Sequence, residues 1–532
     1  MCPICSQSAS SVAGVLCVVA VVLSVNLRML GLGRLGQRSA QRARKVRRRH
    51  GKPKVWKMFG FCGLIWAMSE SLRKKFIGDR AFYAMVLAVA VPIMIQNGFT
   101  NFVSMLDNIM VGRLGTEQMS GVAIANQLIF IYNLCIWGGL SGAGIFTAQF
   151  YGKDDVEGVR NTFRFKLILA LAITVLAVVV LNVFGESLIG LYLYSSEDGG
   201  DLALAMESGL EYVEVISSIC LLPFLLVQVY SSTLRECGET VLPMKAGVAA
   251  VLVNLVFNYF LIYGKFGFPA LGVRGAAIAT GISRYVEAAI VLIWTHRHTK
   301  EQPFAVGLYR TLKVPKALTK GIVKKGFPLL LNETLWSSGM ALLVQCYSTR
   351  GLNAVAGVNI AETINNVFKV VFLAFGASVG IIIGRLLGAG KMEEAKDTDR
   401  KIIVFSIFVS AILGVFMAAI APVFPKIYNT TEAARHIATI LILAQAACLP
   451  IGAFKNATYY TLRSGGRTFI TFLFDGGFVW AVSLPTAFIL SRFTDFSVLA
   501  IFLCVQLGDL LKSVFGYYLV KKGVWLRNIV TS

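Results

Sequence analysis

Asp107, Glu333 and Asp475 are carboxylic acids set among long apolar stretches. Holding a charge at membrane depth is costly unless it is paired or neutralised, so an ionisable side chain there is a functional candidate. Burial favours the neutral acid and a nearby Na+ favours the carboxylate. One group can therefore load a proton or Na+ and release it when its surroundings change. Each acid also has a structural reading. Asp107 would cap the end of the first span at the interface, Glu333 would hydrogen-bond Asn332 or a neighbouring helix, and Asp475 would pair with an Arg or Lys. Glu362 and Lys369 are seven residues apart, near one helical face. They would form part of a buried polar network, or Lys369 would balance Glu333 or Asp475. A fixed lysine charge there opposes cation binding. Arg284 and Glu287 have the i,i+3 spacing of a structural salt bridge. The amides Gln96, Asn97, Asn126, Gln127, Asn254, Asn258, Asn365 and Asn366 lie in predicted spans, where they either contact a substrate or hold helices together. Phe and Met are abundant, and such side chains suit adaptable pockets.

The elements that must position these groups are membrane helices. The chain has 532 residues, 56% of them hydrophobic, with mean hydropathy +0.69, against about 45–50% apolar for a soluble globular chain. Leu167–Gly185, Ala246–Gly264, Ile402–Pro425 and His436–Phe454 are uncharged runs of 19, 19, 24 and 19 residues. A helix of roughly 20 apolar residues crosses a bilayer. With the weaker segments included, the pattern predicts an all-α polytopic membrane protein of twelve helices between about Ala81 and Val520, six per half.

The halves repeat. Thr233-Leu-Arg-Glu-Cys-Gly-Glu-Thr240 recurs as Thr461-Leu-Arg-Ser-Gly-Gly-Arg-Thr468. At a shift of 236 residues Pro92, Gly115, Gly121, Gly144 and Gly152 fall on Pro328, Gly351, Gly357, Gly380 and Gly388. Transporters are commonly built from such repeats, with the binding site where the copies meet. The expected organisation is an N-terminal basic extension (1–67), either non-native or disordered, a lead-in (68–80), a six-helix lobe (81–300), a connector (301–325), a second lobe (326–520) and a tail (521–532). Arg235 and Arg463 then close the fourth and tenth helices, as helix termini and positive anchors or as gating residues.

The net charge of +23 does not read as a nucleic-acid signal. Residues 1–57 hold 12 Lys/Arg and no acid, and His296–Lys325 holds eight Lys/Arg and one Glu. Basic residues gather in cytoplasmic loops, so the connector and both ends of the core are expected on the cytoplasmic side of the cell membrane. The ten cysteines are scattered, and Cys2-Pro-Ile-Cys5 is a lone CxxC without a second ligand pair. The four His, at 50, 296, 298 and 436, lie outside or at the edge of the membrane, so no metal site and no cofactor is expected. An enzyme would need a nucleophile–base set or a spacing such as HExxH, and neither occurs. The expected partners are amphipathic small molecules and the bilayer, with the chain a monomer.

Several ordered motifs carry a family resemblance. Ala90-Val-Pro-Ile-Met with Ser104-Met-Leu-Asp107-Asn-Ile-Met-Val-Gly-Arg-Leu-Gly115, then Gly121-Val-Ala-Ile-Ala-Asn-Gln and Ala148-Gln-Phe-Tyr-Gly152, resemble multidrug and toxic compound extrusion (MATE) transporters. Gly272-Val-Arg-Gly-Ala-Ala-Ile-Ala-Thr280, Gly326-Phe-Pro-Leu-Leu-Leu-Asn-Glu333 and Gly380-Ile-Ile-Ile-Gly-Arg-Leu-Leu-Gly-Ala-Gly390 extend the likeness over residues 81–520. The resemblance implies two six-helix bundles around a central cleft, with inward Na+ or H+ driving amphipathic, often cationic compounds outward. It places cation coupling at Asp107 and Glu333; Asp475, early in the eleventh helix soon after Arg463, is expected by position to face the second-lobe cavity beside Glu333 and share in the coupling, or else to pair with a basic residue. The helix-10 acid of NorM-like members is missing here, because the Pro450-Ile-Gly452 region has no carboxylate. A lipid-linked sugar flippase of the related superfamily is the alternative. It calls for several Arg or Lys in the cavity, and this sequence points mainly to Lys369 and Arg284.

Overall fold

The computed structural model describes residues 75–193 and 201–531, so the extension 1–67, its CxxC and most of the lead-in lie outside the described residues. Among the described residues every element is helical. The first lobe comprises α1 (Arg80–Gly112), α2 (Thr116–Gly152), α3 (Val156–Gly190), α4 (Leu202–Glu236), α5 (Val241–Tyr263) and α6 (Gly272–Arg297). The second comprises α7 (Lys316–Ser348), α8 (Leu352–Gly388), α9 (Met392–Ile420), α10 (Glu432–Ser464), α11 (Thr468–Phe493) and α12 (Val498–Lys522). Eleven of the twelve are long and apolar enough to cross a bilayer. The exception is α7, which is long enough but starts with Lys316, Lys320, Lys324 and Lys325 and carries Asn332-Glu333-Thr334 in its middle.

The sequence repeat is a structural repeat. A shift of 236 residues lays α1 on α7 and α2 on α8 end for end. Pro92 and Pro328 sit inside α1 and α7. Each removes one backbone donor, a loss membrane helices tolerate because neighbouring groups satisfy the freed carbonyl. The connector is shorter than the charge pattern predicts. Helix α7 starts at Lys316, just after Pro315, so residues 316–325 are a basic helical extension rather than loop. Proline stands well at a helix start, where its missing N–H costs nothing.

Each lobe has its own apolar core. Phe163, Ile189, Leu225 and Tyr230 anchor the first, and Leu343, Ile442, Phe372 and Ile501 the second. The lobes meet along two seams. In one, Val86, Ala90 and Ile93 of α1 cluster with Ala374, Phe375 and Ile382 of α8. In the other, α2 meets α7 so closely that a Cβ on Gly142 would lie 2.3 Å from the Gly326 Cα. At the connector end α2 crosses α8 in the same manner: a Cβ on Gly152 would lie 2.0 Å from the Arg385 carbonyl oxygen, and one on Gly388 1.9 Å from that of Gln149. Only glycine allows backbones this close, and the pair is related by the repeat.

Two chain segments brace that end. After α6, Phe304 and Leu308 are buried under the first lobe, and Arg164 donates to the carbonyls of Leu308 (3.0 Å) and Gly307 (3.2 Å). After α12, Trp525 is 1% exposed. The Gln149 side chain accepts from Ile529 N–H (2.8 Å) and donates to the carbonyls of Ser464 (2.9 Å) and Arg527 (3.3 Å). Asn528 donates to the Gly388 carbonyl at 3.0 Å. The tail thus ties α2 of one lobe to α8 and α10 of the other.

Candidate functional site

In the first lobe, Asp107 lies five residues before the end of α1 and faces α5. Asn258 Nδ2 donates to its Oδ1 at 2.6 Å. Asn254, one helical turn earlier on the same face of α5, satisfies the carboxylate when its amide nitrogen faces it, at 3.0 Å from Oδ1 and 3.1 Å from Oδ2. Asn254 and Asn258 are 6% and 2% exposed. The Asn258 Oδ1 is buried without a hydrogen-bond partner, and a buried acceptor left unmade costs about 1–3 kcal/mol. A carboxylate and an orphan amide oxygen together suit a cation, or the hydroxyl of a protonated Asp107. Beside them Arg284 pairs with Glu287 at 2.8 Å and lies over the Phe224 ring at 5.4 Å, as the i,i+3 spacing predicts.

In the second lobe, Glu333 sits on the face of α7 turned toward α2, where a Cβ on Gly138 would lie 3.6 Å from its Cγ. Tyr459 of α10 donates to Glu333 Oε1 at 3.2 Å. The adjacent Asn332 also reaches across to α11. It donates to Asp475 Oδ2 at 3.2 Å and accepts from Gly476 N–H at 2.8 Å. Asp475 and Gly476 lie in a π-helical stretch of α11, Leu473–Gly477, whose widened turn frees backbone groups for such contacts.

Asp475 also accepts from Lys512 of α12 at 2.7 Å. Of the two readings of Asp475, the structure therefore supplies the pairing with a lysine. Lys369 does not balance Glu333 or Asp475. It pairs with Glu362 at 3.0 Å on its own helix, because the seven-residue spacing brings the two within reach. Gln445 of α10 donates to the same Glu362 at 2.7 Å, and Asn365 at 3.5 Å.

The two repeated arginines do end their helices, as expected. Both occupy the last turn of their helices, but neither reaches outward as an anchor. Arg235 points to Gln96 Oε1 at 3.5 Å. Arg463 lies over the Tyr460 ring at 5.3 Å and donates across the lobe boundary to the Ser141 carbonyl at 3.4 Å. The buried Thr, Leu and Tyr around them turn the guanidinium groups toward the seam. Asn126, Gln127 and Asn366 are exposed, and Asn97 is half-buried; they join none of these clusters.

Several polar residues escaped the sequence reading. Lys455 of α10 pairs with Asp509 of α12, and Lys166 of α3 pairs with Glu236 while also donating to Thr233 at 3.1 Å. Asp399 of α9 is 1% exposed and accepts from Thr461 at 2.5 Å. Extending the rule for ionisable residues at membrane depth from the acids to every lysine would have flagged Lys166, Lys455 and Lys512. Their partners are set by packing alone.

Against this geometry the chain can be placed among known proteins. The MatE family profile matches residues 92–260 and 328–489, one block in each lobe. The chain belongs to the MATE family of membrane transporters. It is 27% identical over 460 residues to a probable multidrug resistance protein NorM of Thermotoga maritima, covering 84% of this chain and 93% of that one. It is 26% identical over 410 residues to the multidrug resistance protein PmpM of Pseudomonas aeruginosa, covering 77% and 84%. Its fold matches that of a MOP superfamily transporter from Pyrococcus furiosus with a TM-score of 0.73 at 21% identity, covering 86% and 98%. The twelve-helix, two-lobe architecture of this MATE protein is thus the fold of its family.

Proposed function

We propose that the chain is a secondary active multidrug efflux antiporter of the cell membrane, exporting amphipathic, often cationic compounds in exchange for Na+ or H+. The observation that carries this reading is an asymmetry among the acids of the lobe interiors. Glu236, Glu287, Glu362, Asp475 and Asp509 each have a lysine or arginine partner. Asp107 and Glu333, like Asp399 of α9, have no ion-pair partner among the described residues and accept hydrogen bonds from neutral donors, with Arg284, Arg463 and Arg400 acting on them only at longer range. A half-buried carboxylate at membrane depth with no directly paired counter-charge favours a proton or a metal cation, and that exchangeable positive charge is what an antiporter needs.

The cycle follows from the two lobes. With the connector end in the cytoplasm, the α2–α8 crossing and the tail close the inner side. Na+ or H+ loads at Asp107 and Glu333 from outside. Its binding removes the cost of the buried charge, and the lobes rock about the α1–α8 and α2–α7 seams to open inward. Glu333 lies at a seam, beside Gly138 of α2, so its occupancy is sensed by both lobes. Binding of the drug from the inner side then favours release of the cation, because two positive charges in one low-dielectric cleft repel.

The flippase alternative loses ground on the same observation. The structure turns more basic residues inward than the sequence pattern suggests: Lys166, Lys455 and Lys512 each have a carboxylate partner, which leaves Arg235 and Arg463 at the seam as the groups a phosphate would have to use. Proteoliposomes loaded with a fluorescent cationic dye, under imposed Na+ or pH gradients, test the choice with wild type, Asp107→Asn and Glu333→Gln run in parallel. The reading expects one gradient to drive dye movement and both variants to lose the drive. Dye that stays put under every gradient, while labelled polyprenyl-sugar lipids cross, would install the flippase in its place.

A further inference from the structure

Outside the closed α2–α8 crossing lies a cavity of about 570 Å³, bounded by the α2–α3 turn, the connector and the α8–α9 turn. Its walls belong to both lobes, and Gly152 and Arg385, the residues of the crossing itself, are among them. Met85 and Val89 of α1 and Ile382 of α8 make one side apolar. The other side presents acceptors. Gln302 lines the cavity and is 5% exposed, yet its Oε1 is buried without a hydrogen-bond partner. Its backbone is held in the turn after α6, where Gln302 N–H donates to the His298 carbonyl at 2.9 Å. That oxygen is recessed in the cavity wall, and a buried acceptor left without a donor is uncommon.

The charges around the cavity point the same way. Asp155 caps α3 by accepting from Gly158 N–H at 2.8 Å, and Glu394 pairs with Lys391 at 3.3 Å. The Arg385 guanidinium lies on the Tyr151 ring at 4.8 Å. That leaves the carboxylates of Asp154 and Glu301 without an ion-pair partner among the described residues. Asp154 holds a left-handed backbone, φ 60°, a conformation that Asp tolerates better than most residues. An apolar wall opposite one orphan amide oxygen and two carboxylates fits an apolar body with N–H donors and a positive charge. An anion would find the Arg385 guanidinium, which stacking leaves without an ion-pair partner among the described residues, but it would also meet the two carboxylates.

We propose that this groove is a loading site for amphipathic ammonium cations that carry N–H donors, held at the inner mouth until the lobes part. The direction of traffic rests on the export reading above; the binding itself does not. Full-length protein in nanodiscs of zwitterionic lipid, carrying Asp107→Asn and Glu333→Gln to silence the central sites, is titrated with monodansylcadaverine. Its dansyl ring supplies the apolar body and its terminal ammonium the donors. The trimethylammonium analogue of the same probe keeps the charge and lacks the donors at that end.

The amine should bind at least tenfold tighter than its trimethylated analogue. The pair Glu301→Gln and Gln302→Leu should weaken the amine tenfold or more. Leu386→Trp, which fills the groove and leaves the acceptors in place, should do the same. Equal affinity for the two probes, or unchanged amine binding in both groove variants, overturns the proposal. If the groove binds the amine as expected while wild-type proteoliposomes export no dye under any gradient, the loading site stands and the antiport reading falls.

Discussion

A lone carboxylate and a paired one behave differently when altered. Asp107 accepts hydrogen bonds but has no ion-pair partner among the described residues, so Asp107→Asn keeps the shape and removes the exchangeable charge. The variant should melt within a few degrees of wild type and lose gradient-driven dye export at least tenfold in proteoliposomes; export at the wild-type rate would make Asp107 a structural cap. Asp475 is the opposite case, because Lys512 holds it at 2.7 Å with the lysine side chain 7% exposed. Breaking one half of a buried pair typically costs about 3–5 kcal/mol, whereas neutralising both halves costs far less. Lys512→Met should therefore lower the melting temperature clearly, and adding Asp475→Asn should recover most of the loss. A double variant less stable than either single one would show that the pair does not act as a unit. The spacings of Glu362 with Lys369 and Arg284 with Glu287 were legible in the sequence because both partners share a helix. Lys512 with Asp475 was not, because its partners come from different helices and no spacing rule links them.

At the scale of helices, the repeated glycines divide into those that shape a turn and those that permit contact. Gly388 belongs to the second kind, since any Cβ there would strike the Gln149 carbonyl oxygen and backbone cannot step aside as a side chain can. Gly388→Leu should force α2 and α8 apart. A cysteine placed at Ser141, otherwise behind the crossing, should then react several-fold faster with a membrane-impermeant maleimide added from the connector side. Unchanged labelling would mean that the crossing is not what closes that end. The alignment of Gly152 with Gly388 at one offset already marked the two as equivalent. That they touch each other's helix, rather than lipid or their own lobe, follows from the pseudo-twofold relation in three dimensions.

Over the whole molecule, two helical bundles meet along thin seams and are clasped at one end by chain that is not transmembrane. The tail contributes Trp525, fully enclosed, and the hydrogen bonds that Gln149 and Asn528 make across the lobes. Trp525→Ala should cost about 3–5 kcal/mol of stability through the cavity it leaves. Deleting residues 524–532 should raise labelling at Ser141→Cys, because the clasp opposes the rocking that export requires. A truncated protein with wild-type melting and labelling would reduce the tail to a surface appendage.

Twelve membrane helices, their division into two repeats and the existence of acids within them were all determined by the sequence, because hydropathy and repetition are properties of the chain in one dimension. The lengths of α1 and α2 even matched those of α7 and α8 residue for residue. Tertiary structure alone decided which acids are neutralised. Nothing in the sequence pairs Lys455 with Asp509, Lys512 with Asp475 or Lys166 with Glu236 until folding brings those helices together. It also decided that Arg235 and Arg463 turn inward to the seam, and that Gln302, in an unremarkable connector, holds an oxygen with no partner. A charge's worth in a membrane depends on what lies within a few ångströms of it, and only folding brings those neighbours together.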